Sequence, residues 1–325
     1  MTHVLELIHA FRRSKIMFTA VRLGIFDRLE NQPASATQLA SDLNLHPGAL
    51  TRLLDACLPL ELLTRENGIY SNTPATSREL VSTSPDSLTG YILYSDQSLY
   101  PLWGKLDDAV REGTNRWTQV FGSRSALFDH YFRDPASTRS FLTGMHGSGQ
   151  ITSPNVVRAF DLSRYTHLVD LGGATGHIAI AACRAYPNLR ATVLDLPLVE
   201  PYAREIISQT DVADRIKFVT ADFFEDKLPA ADLYSLGRIL HDWDEARIQT
   251  LLTKIPGDLL IAEALIDEDR AGPLYPLMQD LSMLVCTDGK ERTASDYEQL
   301  LKAAGFKSVQ SRRTGTLIDA ILARR

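Results

Sequence analysis

HLVDLGGATG, residues 167–176, decides how the rest of the chain is read. Leu168 and Val169 run into an acid and a glycine-rich turn, and the apolar, helix-like stretch HIAIAACRA follows at 177–185. That order is a strand, a loop that brings backbone close to a ligand, and a helix. Downstream the pattern repeats: RATVLDL, IKFVTADFF, DLYSLGRIL and GDLLIAEAL are strand-like, with helical segments between most of them, for example around 176–186 and 244–254. Alternating strands and helices predict a parallel sheet covered on both faces. The last two strand-like runs, FKSVQSRRT and LIDAILAR, are separated only by Gly315 and Thr316. So short a connection permits an antiparallel hairpin and not a parallel crossover.

Upstream, residues 1 to about 160 read as helical. Val4, Ile8 and Phe11 recur at helical spacing, and Ser35 precedes the short helix ATQLASDLNL. His46-Pro47 opens another helix, with an apolar face of Leu50, Leu53, Leu54 and Leu58. LLTRENGIYSNT then reads as two short strands about Asn67-Gly68. Helices followed by a hairpin are the order of a winged helix. Between residues 35 and 75 only Arg52 and Arg65 stand against Asp42, Asp55, Glu61 and Glu66, too little positive charge to neutralise several phosphates. A helical packing or dimerisation module is expected there in place of a DNA reader. The predicted organisation is 1–95 for that module, 96–160 for helical linker and substrate cover, and 161–325 for the cofactor-binding and catalytic domain.

The bulk properties agree. The 325 residues carry a net charge of −6, with 44% hydrophobic and 23% charged residues. This is ordinary globular composition, and it excludes disordered, collagenous and disulfide-scaffold classes. Cys57, Cys183 and Cys286 are odd in number and show no metal-ligand spacing, which fits a reduced, cytoplasmic chain. The N-terminal run has no apolar core or small-residue cleavage site, and no apolar stretch is long enough to span a membrane. The expected partners are a small molecule and a second copy, with neither nucleic acid nor membrane.

In the glycine loop Gly172-Gly173-Ala174-Thr175-Gly176 follows Asp170. Alone it could be a plain strand-to-helix turn. Two further acids strengthen it: Asp195, followed by Leu196, ends the second strand, and Asp222, followed by Phe223 and Phe224, ends the third. Carboxylates so placed can accept ribose hydroxyls and an adenine amino group, and an aromatic can cover the ring. The loop has neither the G-x-G-x-x-G order of a dinucleotide site nor the Lys-Ser/Thr of a P-loop, and Asp170 would repel a pyrophosphate. A sulfonium with an amino-acid tail, S-adenosyl-L-methionine (SAM), fits better, with S-adenosyl-L-homocysteine as its demethylated product.

The fourth strand runs into Arg238-Ile-Leu-His241-Asp242-Trp243, placing His241 on the ligand edge of the sheet. A phenol is scarcely ionised at neutral pH, so a histidine is a suitable base for methyl transfer to its oxygen. Glu263 in IAEAL and Glu291 in DGKERT stand where they could orient that imidazole; a solvated strand end and a helix-entry salt bridge are the bland alternatives. No ligand cluster calls for a metal.

LGIFDRL, DLGGATG, ADFFEDKLPAADLY, RILHDW, GKERT and AAGF occur in this order along the chain. Together they resemble the caffeic acid and acetylserotonin O-methyltransferases, the plant-type class I SAM-dependent family. AFDLS, LIDEDRAGP, MLVCTDGKERT and DAILAR are most like the acetylserotonin branch. The resemblance implies that His241 is the general base flanked by Glu263 and Glu291. It implies that Phe132, Asp170, Gly172, Gly173, Gly176, Asp195, Leu196, Asp222, Phe223 and Arg238 line the cofactor site. Asp242 would touch the acceptor, and Phe141, Met145, Met278, Ser282, Met283 and Cys286 would wall it. It also implies an N-terminal homodimer that closes over the partner's site. C- or N-methylation, or a reaction in which SAM is not consumed, is the alternative on the same fold. Ala174 replaces the usual third loop glycine, which a methyl tolerates only if φ stays negative. Ser282 and Cys286 stand where the acetylserotonin branch carries Asn and Gln, removing two amides that would help hold the acceptor.

Overall fold

A computed structural model describes residues 2–122 and 135–325. The chain forms two compact units, 1–98 and 99–325. The first begins with the helix His3–Arg22 and continues with Ile25–Asn31, Ala36–Asp42 and Pro47–Cys57. Ser35 caps the third of these through its hydroxyl, and His46 caps the fourth ahead of Pro47. Strands β1 (Ala34–Ser35), β2 (Leu63–Glu66) and β3 (Ile69–Asn72) form a small sheet in the order β1-β3-β2. Asn67 and Gly68 both adopt positive φ, as a two-residue turn between twisted strands requires. Ile25, Phe26, Leu39, Leu54 and Cys57 fill the core. Arg65, one of the two cations counted above, is tied to Asp55. Val4, Leu7, Ile8 and Phe11 are each more than half exposed along the first helix.

The second unit is built on β4 (His167–Leu171), β5 (Arg190–Asp195), β6 (Ile216–Thr220), β7 (Leu233–Gly237), β8 (Asp258–Glu263), β11 (Ser308–Arg312) and β12 (Asp319–Arg324). Their order is β11-β12-β8-β7-β4-β5-β6. The pairs from β8 to β6 are parallel, while β12 runs antiparallel to both β8 and β11. The expected parallel sheet with a terminal hairpin is therefore present. The hairpin connection is longer than Gly315-Thr316, because the strands stop at Arg312 and resume at Asp319. Within it the Thr314 hydroxyl donates to the Ile318 carbonyl at 2.5 Å.

Successive residues of the strands feed opposite cores. Leu168, Val193 and Leu260 pack with the helix His177–Ala185 on one face, and Val169, Leu194 and Ile261 pack with Glu245–Lys254 and Ala294–Ala303 on the other. A sheet covered twice has no solvated face, which explains its near-continuous apolar strands. Chain direction away from β4 reverses between its neighbours β5 and β7, and ligands of such sheets gather at the carboxyl ends of these strands. Two short strands, β9 (Leu265–Ile266) and β10 (Arg292–Thr293), pair in parallel and bring the segment after Glu263 beside the segment after Glu291. Among the described residues no helix is long and apolar enough to cross a membrane.

Candidate active site

The glycine loop is shaped by its neighbours. The Gly172 N–H donates to the Leu194 carbonyl at 2.8 Å, and the Ala174 N–H to Asp195 Oδ2 at 2.8 Å. Gly172 has φ of 63°, and a Cβ there would lie 2.6 Å from Ile239 and 3.1 Å from Phe223. A Cβ at Gly173 would lie 2.6 Å from Asp170 Oδ2. Only glycine fits these two places. Gly176 precedes the helix His177–Ala185. Ala174 does not meet the condition set for it by sequence: its φ is +48°, in the left-handed region. The bonds at Gly172 and Ala174 fix the loop's path and hold the alanine there, at a cost of about 1–2 kcal/mol.

Asp170 lies beneath the loop and not at its mouth. Its strand continues to Leu171, and its carboxyl is buried with one oxygen accepting from Ser235 Oγ at 2.6 Å. The other oxygen is buried without a hydrogen-bond partner. Burial pushes this carboxyl up to about 7. Asp195 closes β5 and accepts from the Leu196 and Ala174 N–H groups; burial raises it to about 6 against the pull of those two bonds. Asp222 lies two residues past the end of β6 and turns the chain by accepting from the Phe224 N–H at 2.8 Å. The Phe223 and Phe224 rings stand 4.8 Å apart. Lys254, which sequence reasoning missed, donates to the carbonyls of Phe223, Phe224 and Asp226 and so fixes that turn. Phe132 lies outside the described residues.

These residues fit SAM on their own geometry. A cradle closed to any Cβ, an unpartnered buried carboxylate oxygen, strand-end acids and an aromatic beside the loop suit an adenosyl cation with an amino-acid tail. Arg238, also in the left-handed region with φ of 54°, reaches the Met145 carbonyl at 3.2 Å and Ser148 Oγ at 3.4 Å. With the His146–Thr175 and Ser153–His177 contacts, at 2.7 and 2.8 Å, it ties the helix Pro135–Arg158 to the loop. Burial lowers both histidines, His146 to about 4, so they serve here as neutral rings.

His241 sits in the single turn Leu240–Asp242 beyond β7 and is buried. Its Nδ1 is 2.7 Å from Glu291 Oε1 and 3.5 Å from Glu263 Oε2; its Nε2 is 3.7 Å from Asp242 Oδ1. Glu263 Oε1 accepts from the N–H groups of Ile239 and Leu240, so the carboxylate at the end of β8 also shapes the turn. Glu291 is held by its own N–H, which donates to Asp280 Oδ1 at 2.9 Å. Burial alone would lower the imidazole; Glu263, Glu291 and Asp242 overcome it and raise His241 to about 10. Burial and the neighbouring acids raise Glu263 to about 7 and Asp242 to about 6, both restrained by His241. Each of His241, Glu263 and Glu291 offers a ligand atom within 4.8 Å of the others, a spacing that could hold a cation. Nδ1 and Glu263 Oε1 are instead engaged in the hydrogen bonds just described.

The residues expected to wall the acceptor divide. Ser282, Met283 and Cys286 are buried on the helix Leu274–Cys286, whereas Met278 on the same helix is 42% exposed. The Ser282 hydroxyl accepts from Trp103 Nε1 at 3.2 Å and donates to the Met278 carbonyl at 3.3 Å. Trp117 Nε1 donates to the Cys286 carbonyl at 2.5 Å. Burial and the Asp242 charge push the Cys286 thiol far up, which keeps it protonated. Phe141 packs against the core that lies under the helix His177–Ala185.

A family model described as the O-methyltransferase domain matches residues 103–307, and one described as the O-methyltransferase dimerisation domain matches 5–82. The acetylserotonin O-methyltransferase of Gallus gallus is 41% identical, the match covering 99% of this chain and 96% of that one. The crystal structure of human N-acetylserotonin methyltransferase in complex with SAM superposes with a TM-score of 0.93 at 37% identity, covering 99% of this chain and 96% of that one. A structure titled PigF with SAH gives 0.90 at 27% identity, covering 100% of both chains. By these matches the chain belongs to the SAM-dependent O-methyltransferase family, on its acetylserotonin methyltransferase-like branch.

Proposed function

We propose that this enzyme methylates the hydroxyl of a small aromatic acceptor, with His241 as general base. One observation carries the reading: Nδ1 of a buried imidazole is bound by Glu291 at 2.7 Å, while Nε2 makes no hydrogen bond among the described residues. In the neutral ring, which the raised pKa places at the upper end of the pH range, a proton fixed on Nδ1 leaves Nε2 as the acceptor, and the flanking carboxylates stabilise the cation that forms when it takes the phenolic proton. SAM, when bound, supplies the electrophilic methyl group and leaves as S-adenosyl-L-homocysteine. Asp195, Asp222 and Phe223 hold and cover its adenosyl portion, and Gly172, Gly173 and Gly176 let backbone approach it. Asp170, beneath the loop, sets its carboxyl against Gly173 and so supports the cradle from below. Burial excludes water from the proton transfer and strengthens each of these contacts.

Asp242, Ser282, Met283 and Cys286 form the acceptor side, and Trp103 and Trp117, within the 96–160 substrate-cover segment, secure it. Ser282 has its proton committed to Met278, so this wall offers the acceptor little beyond shape and the Asp242 carboxylate. Acetylserotonin, named for the relatives, is one candidate in a wider class of phenols and indolols. The chain acts as a homodimer through its first unit, supported by the match to the dimerisation domain and the exposed apolar ridge of Val4, Leu7, Ile8 and Phe11.

Methyl-labelled SAM incubated with phenols including N-acetylserotonin, with carboxylates and with amines tests this directly. Label should enter phenols, and His241→Ala should bind SAM normally while losing roughly 10²–10⁴ in turnover. Near-normal turnover by that variant would sink the assignment of the base, and product formation without S-adenosyl-L-homocysteine would favour a reaction in which SAM is not consumed.

A further inference from the structure

Directly after Glu291 comes Arg292, the largest of the fully buried side chains at 1% exposure. Its Nη1 donates to the Leu240 carbonyl at 3.2 Å and the Lys290 carbonyl at 3.0 Å, and its Nη2 to the Trp243 carbonyl at 3.3 Å. Leu240 and Trp243 bracket the turn that carries His241 and Asp242. The same loop presses on the turn at Gly289, where a Cβ would lie 2.0 Å from the His241 carbonyl oxygen. Arg292 lies 6.0 Å from the centre of the buried Tyr297 ring. A buried guanidinium bonded to backbone carbonyls and set beside Tyr297 has a large desolvation cost, and apolar residues of similar volume would pack such a place more cheaply. Burial and the Glu263 and Glu291 charges push the Tyr297 hydroxyl up and Arg292 pulls it back down, so the guanidinium and these two buried carboxylates share a neighbour.

We infer that Arg292 is a positioning residue for the proposed base: its two-pronged head grips both ends of the 240–243 turn and fixes where the imidazole stands, while its buried charge opposes the Glu263 and Glu291 carboxylates that would otherwise trap the imidazolium. This rests on the reading of His241 as base. The turn is closed by residues from four directions, and a lysine, with one nitrogen at the end of a flexible stem, cannot bridge the Leu240 and Trp243 carbonyls in the same plane. The charged and titratable groups around His241 are Asp242 on its own turn, Arg238 ahead of it, Glu263 at the end of β8, Glu291 before β10, Asp280 on the helix Leu274–Cys286 and Tyr297 on Ala294–Ala303. Of the cations, Arg238 acts on Asp242, Arg270 and Lys290 act on Asp280, and Arg292 acts on Tyr297.

Two readouts test the inference on the full-length enzyme. The first is the titration midpoint of His241 by NMR with ring-labelled histidine, assigned by loss of the signal in His241→Gln and read without any acceptor. The second is kcat and KM for SAM with whichever phenol of the panel is methylated. Arg292→Met should raise the His241 midpoint by about half to one unit. It should lower kcat roughly 10- to 100-fold and leave KM for SAM within about twofold. Arg292→Lys, which keeps the charge and loses the fork, should lower kcat several-fold with an unmoved midpoint. A folded Arg292→Met enzyme with unchanged midpoint and kcat overturns the inference, as does a kcat loss matched by an equal rise in KM. If the Met variant does not fold, Arg292→Lys decides alone, and wild-type kcat in it overturns the gripping role. Activity retained by His241→Ala removes the base reading separately, since the NMR midpoint does not depend on turnover.

Discussion

Replacing Glu291 with Gln removes one negative charge and keeps the shape. In the wild-type enzyme that carboxylate stands 2.7 Å from Nδ1 of a buried imidazole that Glu263, Glu291 and Asp242 together raise to about 10. Coulomb attraction at this separation is about 6 kcal/mol at an effective dielectric of 20, while the net worth of a hydrogen bond to a charged group is about 1.5–3 kcal/mol. The smaller figure governs, because the imidazole must be desolvated either way. At about 1.4 kcal/mol per pH unit it corresponds to a fall of about one to two units in the His241 midpoint. The sign follows from the charge: a carboxylate stabilises the imidazolium, so its loss lets the base deprotonate at lower pH. The amide can also donate to Nδ1 and place the proton on Nε2, where the base is useless. The rising limb of kcat against pH should thus move down by one to two units while its plateau drops roughly 10²- to 10⁴-fold. The assay is methyl-labelled SAM at saturation from pH 6 to 10.5, repeated with a more acidic phenol to show that the limb belongs to the enzyme. A limb that stays in place or moves up, or a plateau within threefold of wild type, would refute the reasoning.

Ala174→Gly relieves a left-handed residue and should stabilise the protein by about 1 kcal/mol, seen as a rise in Tm, with SAM affinity unchanged or tighter by calorimetry. A lower Tm would show that the alanine methyl packs better than its φ of +48° suggests. Asp170 is raised to about 7 by burial, so its ionisation is resisted in the fold: the stability it contributes is fully present below about pH 4 and is lost as pH rises through 7. Asp170→Asn removes that loss. The difference in unfolding free energy between variant and wild type, without SAM, should move in the variant's favour by on the order of 4 kcal/mol from pH 4 to pH 8, and a flat difference would contradict it.

Local grammar carried much of the fold into view. Strand and helix alternation, the Asn67-Gly68 turn and the short link before residue 317 each follow from one stretch of chain read by itself. The histidine and the acids at strand ends were legible for the same reason: a parallel sheet fixes where its carboxyl edges lie, so position along the sequence translates into position in space. What stayed hidden depends on contacts between distant segments. Asp170 reads as a loop-mouth acid, but its carboxyl turns under the loop to Ser235, sixty-five residues away. Sequence sets only a condition on Ala174, a negative φ, and the structure departs from it because two bonds to β5 and its terminal acid fix the path of the loop. Lys254, Asp280 and Arg292 carry no motif that separates them from ordinary surface charge; only the carbonyls and N–H groups they meet show their work. The Trp103 bond to Ser282 spans 179 residues and leaves no trace in local pattern.

The placement of β12 has a consequence for how the protein is made. Strand β8, which ends at Glu263, is flanked by β7 on one side and by β12 on the other. Residues 319–324 leave the ribosome long after 258–263, so during synthesis β8 waits as an open edge of apolar residues. Until β12 arrives, that edge is a template for pairing with another nascent chain. The carboxylate that shapes the His241 turn is thus seated on a strand whose neighbour comes last, and the sheet can close only after nearly all of its residues have been translated. Translational pausing before residue 319, or crowding of chains on one message, should therefore affect the yield of active enzyme more than its stability once folded.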